Sequence, residues 1–301
     1  MTGPRRARMV TIVVAAAVVI IVGVAGVLTW AGSRDDGPEA VARTWLAAIA
    51  EGDEDAARAA MSREVDALDV GGAVERPSEP SVREVRIDGD TAEADVSFVL
   101  AGDVREARLP LTQTSDGWLV GEDALGRVDI STDLGDSVTI GEAVVPAGEV
   151  RLFPGTYDLT AAPRDYLDGS ASVSVIPGEE HTVAVQATYN SAALDAVREA
   201  VADHLNACTQ PASAVADDCG LRVPWAADLA VLERIAYRIE RLPEVQLTEE
   251  GGFAATGGVV VATASGTGRD GSPASATYRD DAWTVRGTIT VTGAQIRLGV
   301  L

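Results

Sequence analysis

Residues 91–100, TAEADVSFVL, place Ala92, Ala94, Val96, Phe98 and Leu100 at every second position, mostly with polar neighbours between them. A period of two is the mark of a strand with one buried and one wet face. Turn residues frame it, Asp88-Gly89-Asp90 before and Gly102-Asp103 after. Val82, Val85 and Ile87 lead into the first turn, residues 104–111 leave the second, and Asp116-Gly117 opens a last short strand at 118–120. Strands joined by such short turns form an antiparallel meander, buried on one face only.

Working outward, the period changes to that of a helix upstream. Val41, Trp45, Leu46 and Ile49 recur at helical spacing behind Pro38-Glu39, a good helix opening. Glu51-Gly52-Asp53 ends that helix, and Asp53 can cap a second one over residues 54–61; residues 71–80 read as a loop. Helices followed by a meander make an α+β layer over residues 38–127. The opening AVARTWLAAIAEGDEDAARAAMS and the closing DGWLV resemble the NTF2-like/cystatin-like domains of bacterial envelope proteins. That resemblance implies a helix-backed curved sheet, in a family that holds enzymes as well as binding and spacer modules. The acid/base residues of its enzymes have no match here, because this block contains no His or Tyr.

Residues 128–189 are strand-rich, with stretches at 137–140, 148–153, 156–161, 170–176 and 182–188 punctuated by Pro154-Gly155 and Pro177-Gly178. LFPGTYDLTAAP and SVSVIPGEEHTVAVQ resemble β-sandwich modules of the PEGA type, which implies a non-catalytic spacer or interaction unit. Phe153 and Tyr157 read as packing residues within it.

Residues 190–301 open with a helix carrying Ala193, Leu194, Val197, Val201 and Leu205, capped by Asn190 or Ser191. Residues 231–241 satisfy both periods; the alternation of Ile235, Tyr237 and Ile239 favours a strand. Further strands follow at 245–247, 258–264, 274–279 and from Trp283 onward. SDGWLV at 115–120 and DDAWTV at 280–285 each lead to a Trp from acidic residues. The fold class expected is therefore α+β, with two NTF2-like domains flanking a small β-sandwich.

All 24 basic residues are Arg, and the net charge is −22. So acidic a surface repels phosphate backbones, and nucleic acid is excluded as a partner. An apolar run without charge, opening at Met9 and ending at Trp30, follows Arg5, Arg6 and Arg8. Its length suits a membrane-spanning helix, and the basic flank keeps residues 1–8 in the cytoplasm. Val24-Ala25-Gly26 offers the alternative of signal-peptide cleavage, although it lies inside the apolar run. The expected location is the cell membrane, single-pass, with residues from 37 onward outside the cytoplasm. The two cysteines, Cys208 and Cys219, then read as a disulfide closing a short loop.

Gly266, Gly268 and Gly271 match G-x-G-x-x-G behind an apolar strand, but the residues that follow continue as strand, so the phosphate-binding helix is missing. His181 and His204 are the only histidines, which argues against a Ser-His-Asp triad. Acidic runs are frequent but lack the EF-hand pattern, so no catalytic, cofactor or metal residues are assigned. The expectation is a non-catalytic protein with a binding or spacing role at the cell envelope, its partner a protein or the cell wall. Two alternatives stay open: an envelope hydrolase using paired carboxylates, and a sensor acting through a membrane partner. The oligomeric state is open.

Overall fold

A computed structural model describes residues 37–62, 72–248, 251–292 and 295–300, so the membrane segment inferred at residues 9–30 lies outside the described residues. Of the described residues, 58% are in strands and 19% in helices. Among them no helix is long and apolar enough to cross a membrane.

Helix α1 (Pro38–Glu51) buries Pro38, Ala42, Trp45, Leu46 and Ile49, one stripe at intervals of three and four. Gly52 stops it in the left-handed conformation (φ 75°) and returns its N–H to the carbonyls of Ala48 and Ile49. Asp53 then caps α2 (Glu54–Ala59) by accepting from the Ala56 N–H at 3.0 Å. After β1 (Ala73–Glu75) come β2 (Ser78–Asp88), β3 (Thr91–Leu100), β4 (Asp103–Thr114) and β5 (Gly117–Val120), an antiparallel meander in that order. Ala92, Ala94, Val96, Phe98 and Leu100 are all buried, as their alternation demands. Trp45 and Leu46, also fully buried, pack with Val96, Leu109 and Leu111 between helices and sheet. The wet face of the meander is laced with ion pairs: Arg86 reaches Asp95 (2.7 Å) and Glu84 (2.9 Å), Arg108 reaches Asp95 (3.5 Å), and Arg83 pairs with Glu106.

The middle of the chain is built from β6 (Gly126–Thr132), β7 (Ser137–Ile140), β8 (Ala143–Pro146), β9 (Gly148–Leu152), β10 (Gly155–Ala161), β11 (Leu167–Asp168), β12 (Ser170–Val175), β13 (Glu180–Val185) and β14 (Thr188–Tyr189). One sheet runs β1-β10-β7-β8, with β12 also on β10; a second runs β13-β6-β9, its β6–β13 pair parallel; β11 pairs with β14. Phe153 and Tyr157 are 5% and 1% exposed. The Tyr157 hydroxyl donates to the Phe153 carbonyl at 2.9 Å, and burial pushes its pKa up. Phe153 belongs to the first module's core, with Trp45 6.4 Å away and the Arg58 guanidinium over its ring.

Helix α3 (Ser191–Cys208) is capped by Asn190, whose side chain accepts from the Ala193 N–H at 3.0 Å. Beyond it lie β15 (Leu229–Arg241), β16 (Glu244–Thr248), β17 (Gly252–Gly268), β18 (Pro273–Thr292) and β19 (Gln295–Val300). The sheet order is β15-β17-β18-β19, and β16 pairs with the N-terminal part of β17, end to end with β15. The ambiguous stretch at 231–241 is strand.

This architecture overturns the expected α+β class and the two NTF2-like domains with a PEGA-like module between them. The described molecule is predominantly β. In the last block one helix stands beside strands of 17 and 20 residues, far longer than the roughly five or six usual for a strand. These long strands absorb the segments expected separately at 258–264, 274–279 and beyond 283. Bulges make that possible: the β17–β18 register shifts between Ala255 and Gly258 and again between Gly258 and Val260, bending a strand without ending it. The proposed duplication fails for the same reason. Ser115 and Asp116 form a turn before an edge strand, whereas Asp280 and Asp281 lie within β18, and Trp283 is fully buried in its middle. Nor are the blocks separate. β1, inside the first block between its helices and its meander, joins β10, and one continuous core runs from Val128, Ile140 and Leu159 to Val197, Phe253, Trp283 and Val285.

Candidate functional site

Cys208, the last residue of α3, and Cys219, in a short 3-10 turn, form a disulfide with a Cα–Cα distance of 5.9 Å. The loop it closes lies against the last sheet. The Trp283 indole donates to the Cys219 carbonyl at 2.9 Å, and the Ala212 and Ile235 backbones bridge. Gly220 explains how the loop comes so close: its φ is 61°, and a Cβ there would sit 2.2 Å from the Thr284 carbonyl oxygen. His204 lies 3.4 Å from the Cys208 sulfur and 3.2 Å from the Asp218 carbonyl. His204, Cys208 and Cys219 are metal-ligand residue types within 4.8 Å of one another. With both sulfurs bonded to each other, neither is a thiolate, and the thiolate is the form that ligates.

The glycine motif has a wholly structural explanation. Gly268 ends β17 and Pro273 opens β18, so residues 269–272 are a hairpin turn. A Cβ on Gly266 would meet the Val231 carbonyl oxygen at 2.0 Å, and Gly271 holds φ 82° in the turn. Asp270 accepts from the Ser272 hydroxyl and N–H, and these bonds hold its carboxyl below the usual range. His181 is on β13, with Glu179 at 3.9 Å, and His204 is on α3, beside the disulfide and the Asp218 carbonyl.

A groove of about 780 Å³ lies where the middle sheets meet the last block. Two consecutive backbone runs line it, residues 186–191 on one side and 244–248 on the other, with Asp133, Leu134, Leu194 and Arg198 completing the walls. The sequence places each rim. Residues 188–189 form β14 and lead into the Asn190 cap, while Val245, buried at 5%, pins β16 to the core through the period-two alternation of its side chains. The ionisable groups are few and tied or apart. Asp133 accepts from the Ala187 N–H at 2.7 Å, Arg198 pairs with Asp195 at 3.1 Å, and partial burial raises the Tyr189 pKa. Glu244 is exposed at the end of β16. No His or Cys is among the described residues that line it. Its combination of apolar side chains and backbone edges suits binding.

None of these lining residues is singled out by the sequence as a functional residue. The nearest signals are the helix cap at Asn190 and the short alternation around Val245, and both speak only of local structure. A second hollow, about 380 Å³ on the wet face of the meander, is bounded by Arg83, Glu84, Asp95, Glu106 and Arg108, which pair largely with one another. No family model, curated protein or solved structure matches the chain.

Proposed function

We propose that this is a membrane-anchored extracytoplasmic protein that acts by binding at the cell envelope and performs no catalysis, with the groove between residues 186–191 and 244–248 as its docking site. The observation that carries this reading is the chemistry of the groove. It offers Leu134, Leu194 and Leu247 together with two runs of backbone, while its carboxylates Asp133 and Glu244 stand on separate elements and Asp133 is occupied by the Ala187 N–H. General acid–base work needs a titratable group held against the reacting atom, and binding does not. The apolar run at 9–30 and the Cys208–Cys219 disulfide support the extracytoplasmic setting, since disulfides persist in oxidising compartments.

The test is photo-crosslinking in intact cells from a reactive residue substituted at Gln246, in the groove, against one at Thr277 on the open face of β18; both positions are exposed. A discrete adduct from position 246 that is absent from position 277 is expected. Equal or absent labelling from the two positions overturns the docking role.

A further inference from the structure

We infer that the groove takes an extended peptide as an added strand on the outer edge of β16, with apolar and polar residues alternating and a basic residue at one end. This rests on the docking reading above and names the ligand class for it. β16 and β15 share one edge of β17, and β18 occupies the other. Among the described residues β16 therefore has one strand neighbour, and every second backbone N–H and C=O along Glu244–Thr248 faces away from it. All five residues of the strand line the groove, as a strand does when its edge rather than one face is presented. Across the groove β14 pairs with β11 alone, so the opposite rim is also a strand edge.

An exposed edge is a template for another chain, and addition of a peptide strand is a recurring mode of recognition. In that mode backbone hydrogen bonds supply affinity, and pockets for alternate side chains supply selectivity. Leu194 and Leu247 offer apolar contact, while Gln246 and Thr248 are polar and exposed. Charge fixes the end group. Among the described residues Glu244 has no ion-pair partner within 4 Å, in a chain of net charge −22, whereas Arg198 is held by Asp195. A basic side chain is attracted there, and an acidic peptide is repelled by the whole molecule.

The experiment uses the full chain in detergent and labelled, capped peptides. RTVTVTV is the parent, ETVTVTV the charge-reversed form, and two further forms carry N-methyl groups on one or the other alternate set of amides. Saturable binding of RTVTVTV is expected, with at least one N-methylated form weakened about tenfold or more, the size of effect expected when buried backbone bonds are blocked. Glu244→Arg should reverse the preference between RTVTVTV and ETVTVTV. No saturable binding of RTVTVTV, or equal binding of both N-methylated forms and the parent, overturns strand addition. The peptide arms do not depend on the variant folding. An adduct from position 246 in cells without peptide binding sinks the peptide class and leaves the docking role standing, while loss of the adduct sinks the docking role itself.

Discussion

Tyr278 ties two distant parts of the last block together. Its hydroxyl donates to Asp228 at 2.7 Å, joining β18 to the turn before β15. Partial burial, then the hydrogen bond and the negative charge of Asp228, push its pKa from 10.0 up to about 12. A folded-state pKa above the unfolded one means that the contribution to stability is fully present below pH 10 and is lost as pH rises through about 12. Tyr278→Phe should therefore flatten the fall in stability over that alkaline window and leave the pH 5–8 range nearly level, read as denaturant midpoints against pH. Glu240 works with the opposite sign. The Arg279 hydrogen bond holds its carboxyl below the ordinary range, so its contribution is present above that range and lost on acidification. Both pairs bond residues far apart in sequence that β-register brings together, so neither partner can be named from composition.

At the scale of the element, local chemistry is legible where one short segment suffices. Pro38, Gly52, Asp53 and Asn190 start, stop and cap helices as their side chains and backbone freedom require. Asn190 connects this to the groove, since it caps α3 and also donates to the Asp165 carbonyl at 3.2 Å. Asn190→Ala should lower stability by about 1 kcal/mol, the usual cost of a lost cap, and Asn190→Asp should restore most of it. Chemical denaturation followed by circular dichroism checks both. Strand length is less legible. Ala276 and Val285 belong to one strand because a bulge lets the ladder resume past Asp280 and Asp281. Acidic residues there look like a turn in sequence, because turns and bulges favour similar side chains.

For the whole molecule, the consequence of one core spanning residues 128–291 is that the middle and last blocks lean on each other. The disulfide acts on that shared unit, since Trp283, at its centre, is bonded to the Cys219 carbonyl. Closing a loop with a sequence separation of 11 is worth about 3 kcal/mol by loop entropy. The Cys208→Ser, Cys219→Ser double variant should lose about that much. It should do so in a single transition shared by probes placed in β10 and in β18, as calorimetry and site-specific fluorescence would record. Two separate transitions would contradict the continuous core. The groove belongs to this scale as well, because residues 186–191 and 244–248 meet only when the two blocks pack.

What the amino-acid sequence determined by itself is local. It set the helix stripe of Trp45, Leu46 and Ile49, the buried alternation of residues 92–100, the caps, and a cysteine pair close enough to join. Those follow from periods and side-chain chemistry acting over a few residues. The tertiary structure alone decided that β1 leaves its block to pair with β10, that β16 ends with one edge open, and that two blocks share a core. Hydrophobic burial is non-directional, so an apolar period says that a face is covered without saying by what. Strand pairing between residues far apart leaves no periodic trace in either one.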